Sequence, residues 1–80
     1  MDICGPTVKD AWDEGWKIGQ RLAAGGVDER AIHGGRIEDG EYYMMNATLP
    51  LYKIPKRLPK NRYQDFLDGV IDGFENNDGS

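Results

Sequence analysis

The chain has 80 residues, a net charge of −4 and 39% hydrophobic residues, which predicts one small domain spanning residues 1–80 with a modest core. A single cysteine, Cys4, excludes an intramolecular disulfide, and the chain shows neither a signal peptide nor a run of the roughly 18 apolar residues that cross a bilayer. These features predict a soluble cytoplasmic protein, and a homodimer would add buried area that so short a chain lacks.

A short lead at residues 1–6 precedes the first predicted element, an amphipathic helix over residues 8–24 whose apolar periodicity ends at Gly25. Gly15 and Gly19, one helical turn apart, lie at the centre of its apolar face. Each costs about 0.5–1 kcal/mol relative to alanine in a helix interior. Such a cost is offset most easily when another backbone packs into the gap, so this face is predicted to lie against a partner helix.

The middle of the chain predicts short elements joined by turns. Asp28 is a suitable N-cap for a single helical turn at residues 29–33. A small antiparallel β-sheet of two or three strands is predicted over residues 36–54. Its hairpin turns at Asp39 and Gly40, because a two-residue type I′ turn needs positive φ at both positions. Prolines flank the last extended segment and restrict it to a sheet edge.

The second main helix is predicted over residues 62–75, after an N-cap at Asn61 and before a polar tail at residues 76–80. Its Gly69 and Gly73 repeat the i, i+4 spacing of the glycines in the first helix. We therefore predict an α+β fold in which the two helices cross closely through their glycines and the sheet covers one side. The alternative is a pair of ordinary amphipathic helices whose glycines have no packing role.

Residues suited to enzyme chemistry are scarce. His33 is the only histidine, so a catalytic pair or metal cluster of histidines lacks a second member. A nucleophilic pair of Cys4 and His33 would need two segments that are bordered by glycines and therefore poorly fixed. An exposed His33 near a helix C-terminus is the simpler interpretation. Phosphate-binding glycine motifs and the spacing of a calcium loop are missing from the sequence. We expect a non-enzymatic protein without a cofactor or a bound metal.

A group of carboxylates is the first candidate binding surface. The group contains Asp65, Asp68, Asp72, Glu75, Glu38, Asp39 and Glu41, with Asp13 and Glu14 as further members. Carboxylates at helical spacing resemble a row of phosphates and suit a partner with a Lys- and Arg-lined groove. Trp12 and Trp16 are expected to support the fold beneath this surface. The alternative is a solvated polar face without a partner.

A basic strip is the second candidate. Residues 42–64 carry +5 and the rest of the chain carries −9. The strip contains Tyr52, Lys53, Lys56, Arg57 and Lys60, with Tyr42, Tyr43 and Arg62 beside them. Rings interleaved with bases can stack on single-stranded RNA and neutralise it, although the acidity of the whole chain argues against direct nucleic-acid binding. The alternative is core tyrosines beside a solvated linker.

Two resemblances bear on function. Gly15–Gly19 (GWKIG) and Phe66–Val70 (FLDGV) resemble the two helical motifs of the ribosome modulation factor family, which implies a ribosome- or RNA-associated modulator using the basic strip. In size, acidity, aromatic content and lack of catalytic residues, the chain resembles small phage-encoded inhibitors, the anti-CRISPR proteins above all. That resemblance implies a non-enzymatic inhibitor whose acidic surface occupies a basic nucleic-acid-binding surface of a CRISPR surveillance complex and blocks target DNA.

Overall fold

The structure is a computed structural model that describes residues 8–76. The predicted lead with Cys4, and the predicted tail beyond Asn76, lie outside the described residues. The elements, in chain order, are α1 (Val8–Ala24), α2 (Glu29–His33), β1 (Arg36–Glu38), β2 (Glu41–Tyr43), β3 (Tyr52–Lys53), a 3₁₀ turn (Lys60–Arg62) and α3 (Tyr63–Glu75). The predicted α+β class is confirmed. None of the helices in residues 8–76 is long and apolar enough to span a bilayer.

The two long helices cross through their glycines, as predicted. A Cβ atom built on Gly15 would lie 2.8 Å from the backbone nitrogen of Val70, and one built on Gly73 would lie 2.9 Å from the Cα of Trp16. Real Cβ atoms do not approach backbone atoms this closely, so a side chain at either position would push the helices apart. The interpretation that these glycines have no packing role is wrong.

The three strands form an antiparallel sheet in the order β1-β2-β3. Asp39 and Gly40 connect β1 to β2 with φ values of 53° and 74°, as the predicted type I′ turn requires. β3 lies at the predicted sheet edge but contains only two residues, Tyr52 and Lys53. Proline has no amide hydrogen to donate to a strand ladder, and the flanking prolines therefore limit its length.

The sheet covers one side of α3 and closes the core around Phe66, which has no exposed surface. The ring of Tyr42 meets that of Phe66 edge-on with their centroids 6.0 Å apart, and the Tyr52 ring stacks on it at 5.9 Å with an interplanar angle of 8°. Such aromatic contacts add about 0.5–1.5 kcal/mol each beyond the area they bury. The core is therefore built between the sheet and the helix pair.

The start of α2 agrees with the sequence prediction, whereas the start of α3 does not. The Asp28 carboxylate accepts a hydrogen bond from the amide of Arg30 at 3.0 Å, as an N-cap does. The predicted cap at Asn61 is wrong, because this residue lies inside the 3₁₀ turn that leads directly into α3. Arg62 occupies the N-cap position without a side-chain hydrogen bond. Backbone bonds of the turn, including Arg62 N to Pro59 O at 2.9 Å, continue into the helix instead.

Candidate functional site

The four predicted acidic residues of α3 form a row along the helix, called here the acidic row: Asp65, Asp68, Asp72 and Glu75. Asp68 and Glu75 are exposed, whereas Asp65 and Asp72 are half-buried. Asp68 accepts a hydrogen bond from the Gln64 amide within α3 at 3.1 Å. The Arg62 guanidinium lies 3.8 Å from Asp65, at the edge of ion-pair distance. The start of the row is therefore held by contacts local to α3.

Trp12 and Trp16 of α1 lie beside the acidic row. Their ring centroids are 4.8 Å apart, and both side chains are half-buried. The Nε1 of Trp12 donates a hydrogen bond to Asp72 Oδ2 at 2.9 Å. The indole N–H is thereby satisfied at the boundary between core and solvent, where tryptophan is well suited. The structure therefore joins an accessible aromatic pair to the carboxylates.

The expectation that both tryptophans support the fold from beneath is wrong in its geometry. Cβ atoms built on Gly69 and Gly73 would strike the backbones of Trp12 and Trp16 respectively. With the two backbones in contact, no indole fits between the helices, and both rings lie on the flank of the crossing. The fully buried position in this part of α1 belongs instead to Ala11, with 0% of its surface exposed.

The hairpin carboxylates form a separate group at the turn between β1 and β2. Glu38 accepts a hydrogen bond from Arg36 Nε at 2.8 Å, and Glu41 is the cross-strand neighbour of Lys53. Asp39 occupies the turn itself and is exposed. Within residues 8–76, no hydrogen bond or ion pair connects this group to the acidic row. The seven predicted carboxylates therefore lie in two groups, one on α3 and one on the β1–β2 hairpin, rather than in one described network.

Glu14 has a different position from the one that the sequence suggested. Its carboxylate accepts hydrogen bonds from the Tyr52 hydroxyl at 3.0 Å and from Arg57 at 2.6 Å, and its side chain is 16% exposed. Burial raises the pKa of Glu14, but the hydrogen bonds from Arg57 and Tyr52 outweigh this effect and leave the pKa lowered. Glu14 therefore connects α1 both to β3, through Tyr52, and to the segment after β3, through Arg57. Asp13 pairs instead with Lys9 at 3.0 Å on the surface of α1.

The basic strip is only partly assembled as an exposed surface. Lys53, Lys56 and Lys60 are exposed. Arg57 is paired with Glu14, and one face of the Tyr52 ring is covered by Phe66. The neighbouring tyrosines are similarly engaged, since Tyr42 is fully buried and the Arg36 guanidinium lies 4.8 Å from the centre of the Tyr43 ring. Burial raises the pKa of Tyr42 to about 12. In the basic strip the lysine side chains are therefore more exposed to solvent than the tyrosine rings.

A third group of polar side chains was missed by sequence reasoning. Glu29 and His33 of α2 meet Glu75 at the end of α3, and one potential ligand atom from each lies within 4.8 Å of the others. His33 is exposed near a helix C-terminus, as predicted. Its proximity to Glu75 could not be predicted, because the two residues are 42 positions apart in the chain. The only local signal is the i, i+4 spacing of Glu29 and His33.

Exposed apolar surface is concentrated in the loop between β2 and β3. Leu49 is 77% exposed, Met45 42% and Leu51 41%. Leu51 also lines a cavity of about 130 Å³ together with Ile18 and Leu22. The predicted homodimer stays a prediction.

Comparisons with protein-family models, with curated proteins and with solved structures found no match to this chain.

Proposed function

We propose that this protein is a non-enzymatic inhibitor that docks its acidic row, together with Trp12 and Trp16, onto a basic nucleic-acid-binding surface of a partner protein. The observation that supports this most directly is the hydrogen bond from Trp12 to Asp72, which joins a half-buried aromatic pair to one carboxylate of the acidic row. Acidic rows are common on solvated helices. Two tryptophans beside an acidic row do not increase solubility, so their position favours a binding role.

The chemistry of this face suits arginine in particular. A guanidinium group pairs with a carboxylate in a bidentate geometry and also stacks on an indole ring. A single arginine of the partner can therefore contact both the acidic row and the tryptophan pair. Asp65 and Glu75 are ten residues apart, which separates them by about 15 Å along the helix. That length is comparable to the axial rise of four to five nucleotides in one DNA strand. The row can therefore occupy a groove that normally follows a short stretch of phosphates.

The net charge of −4 supports the same proposal at longer range. An acidic protein is drawn toward a positively charged groove, and electrostatic complementarity of this kind raises the association rate and rejects acidic competitors. The specific partner that we propose is a CRISPR surveillance complex in the cytoplasm of a host cell. The support for this choice is the resemblance to phage-encoded anti-CRISPR proteins in size, acidity and aromatic content.

A second candidate function rests on the exposed lysines at positions 53, 56 and 60. They could bind RNA phosphates and make the protein a ribosome- or RNA-associated modulator, as its resemblance to ribosome modulation factor implies. Capture of partners from a host lysate, with and without nuclease treatment, separates the two candidates. Nuclease-resistant capture of a protein complex supports the inhibitor, and nuclease-sensitive capture supports the modulator.

The decisive experiment for the inhibitor reverses charge at Asp65 and Asp68, for which residues 8–76 contain no interhelical hydrogen-bond partner. Binding of target DNA by a purified CRISPR surveillance complex is measured by gel shift while the protein is titrated. We expect Asp65→Lys/Asp68→Lys to lose at least tenfold in inhibitory potency, about 1.4 kcal/mol of binding free energy. The matched control, Glu38→Lys/Glu41→Lys on the hairpin, has the same charge change and should retain most of the activity. Equal potency of the Asp65→Lys/Asp68→Lys variant and wild type would reject the acidic row as the contact.

A further inference from the structure

We propose that Glu29, His33 and Glu75 form a surface site for a divalent transition-metal ion, with Zn²⁺ the best fit, that links α2 to the end of α3. The three side chains converge from two elements, and the Nε2 atom of His33 is central among them. It lies 2.9 Å from Glu75 Oε2 and 3.5 Å from Glu29 Oε2. This site is a further function beside the proposed docking, and the two share one residue, Glu75, the last carboxylate of the acidic row.

The spacing of the three ligand atoms is close to that of a metal-ligand set. Zn²⁺ binds histidine nitrogen at about 2.0–2.1 Å and carboxylate oxygen at about 2.0–2.2 Å, so two ligands of a tetrahedral ion lie about 3.4 Å apart. The two separations from His33, 2.9 Å and 3.5 Å, lie within about 0.5 Å of this value. The three ligand atoms all lie within 4.8 Å of one another. Because all three side chains are exposed, they can rotate to bring their ligand atoms to coordination distance.

The ligand types select the kind of ion. An imidazole nitrogen favours Zn²⁺ and its transition-metal neighbours, whereas Ca²⁺ takes six to eight oxygen ligands and Mg²⁺ prefers oxygen in an octahedral arrangement. Two carboxylates and one neutral imidazole neutralise a divalent charge. Three protein ligands leave the fourth tetrahedral position to water. On binding, the ion takes the place of any proton on His33 Nε2, and that proton passes to solvent.

The fold places these ligands in advance. Glu29 and His33 are four residues apart, so they lie on the same face of α2. The Asp28 cap holds the first turn of α2, and Ile32, which is 2% exposed, anchors the helix in the core. Glu75 lies in the last turn of α3. Because the unfolded chain does not bring these residues together, a bound ion should stabilise the folded state selectively.

The test uses the full chain in a Cys4→Ser background, so that the thiol does not compete for the ion. ZnCl₂ is titrated by isothermal calorimetry, and thermal unfolding is followed by circular dichroism with and without Zn²⁺. We expect one Zn²⁺ per chain and a higher Tm in its presence, with no comparable effect of MgCl₂. His33→Ala and Glu75→Gln should each weaken Zn²⁺ binding at least tenfold and remove the increase in Tm.

Glu38→Gln provides the matched control, because it removes one exposed carboxylate elsewhere on the surface and should leave Zn²⁺ binding unchanged. The three varied residues, His33, Glu75 and Glu38, are all exposed. The circular dichroism spectra of the variants without metal should therefore match that of the Cys4→Ser parent. The proposal is overturned if the Cys4→Ser protein does not bind Zn²⁺. It is equally overturned if binding survives both His33→Ala and Glu75→Gln, or if Glu38→Gln weakens it as much as they do.

Discussion

The indole nitrogen of Trp12 donates a hydrogen bond to the carboxylate of Asp72 at 2.9 Å, across the crossing of α1 and α3. The bond joins the two long helices at the edge of their glycine contact. It also fixes the orientation of the aromatic pair relative to the acidic row. The same hydrogen bond therefore contributes to stability and to the proposed binding face. Its two residues are the most informative ones to change.

Asp72→Ala should destabilise the protein by about 1–2 kcal/mol, because it leaves the half-buried indole N–H without its charged acceptor. Urea unfolding followed by tryptophan fluorescence measures the loss of free energy. Asp72→Asn keeps a carbonyl oxygen in reach and should cost less. The control is Asp68→Ala, whose hydrogen bond from Gln64 is exposed and local to α3. An equal loss in Asp68→Ala and Asp72→Ala would show that the Trp12 bond contributes nothing.

Gly15→Ala should destabilise the fold by about 3 kcal/mol, near the upper end for an overpacked core, even though alanine favours a helix by up to about 1 kcal/mol. The added methyl group would meet the backbone of α3 between Phe66 and Val70 rather than a flexible side chain. Gly25→Ala is the matched control, since its nearest neighbours would lie at 3.5 Å, an ordinary contact distance. Thermal unfolding should separate the two variants clearly. A Gly15→Ala protein as stable as Gly25→Ala would contradict the close crossing.

Glu14 should make stability depend on acid pH. Burial raises its pKa, but hydrogen bonds from Arg57 and Tyr52 prevail, and the pKa in the folded state lies below its ordinary value of 4.5. The stabilisation is therefore present above pH 4.5 and is lost as the pH falls through the lowered folded-state pKa. Glu14→Gln should lose about 1–2 kcal/mol at pH 7 and less in strong acid. Urea unfolding across this range checks the trend, and Glu38→Gln should follow wild type.

Tyr42→Phe should stabilise the protein by about 1 kcal/mol at neutral pH. The Tyr42 hydroxyl is buried and has no hydrogen-bond partner within residues 8–76, so removing it relieves an unpaired polar group. The ring contact with Phe66 is kept. Differential scanning calorimetry measures the gain, with Tyr63→Phe on the half-exposed ring at the start of α3 as the control. A lower Tm for Tyr42→Phe would contradict this account.

The same residue should govern alkaline stability. Burial raises the pKa of Tyr42 to about 12 from an ordinary value of 10. Above pH 10 the unfolded chain ionises this tyrosine while the folded chain does not, so stability falls as the pH rises from about 10 to about 12. Tyr42→Phe should remove that part of the decline. Unfolding free energies at pH 9 and pH 11 provide the comparison, and an unchanged slope in the variant would assign the decline to other groups.

Local features of the chain could be predicted because their causes are local. α1 spans the predicted residues 8–24, and the Asp39-Gly40 turn has the predicted positive φ values. Apolar periodicity and turn chemistry involve residues only a few positions apart. The glycine pairs also predicted a contact between two helices that are distant in the chain. Glycine at the centre of an apolar helix face has no local benefit, so its presence points to a close neighbour.

The candidate sites depended on packing. Helical periodicity alone places Asp65, Asp68, Asp72 and Glu75 in one row, and the sequence determines that much. It cannot determine that Trp12 meets Asp72, 60 residues away, or that His33 meets Glu75. It likewise cannot show that Glu14 meets Tyr52 of β3. The Trp12–Asp72 pairing follows from how closely the glycines let the backbones of α1 and α3 approach. The other two pairings depend on how α2 and β3 pack against these helices, which involves residues far apart in the chain.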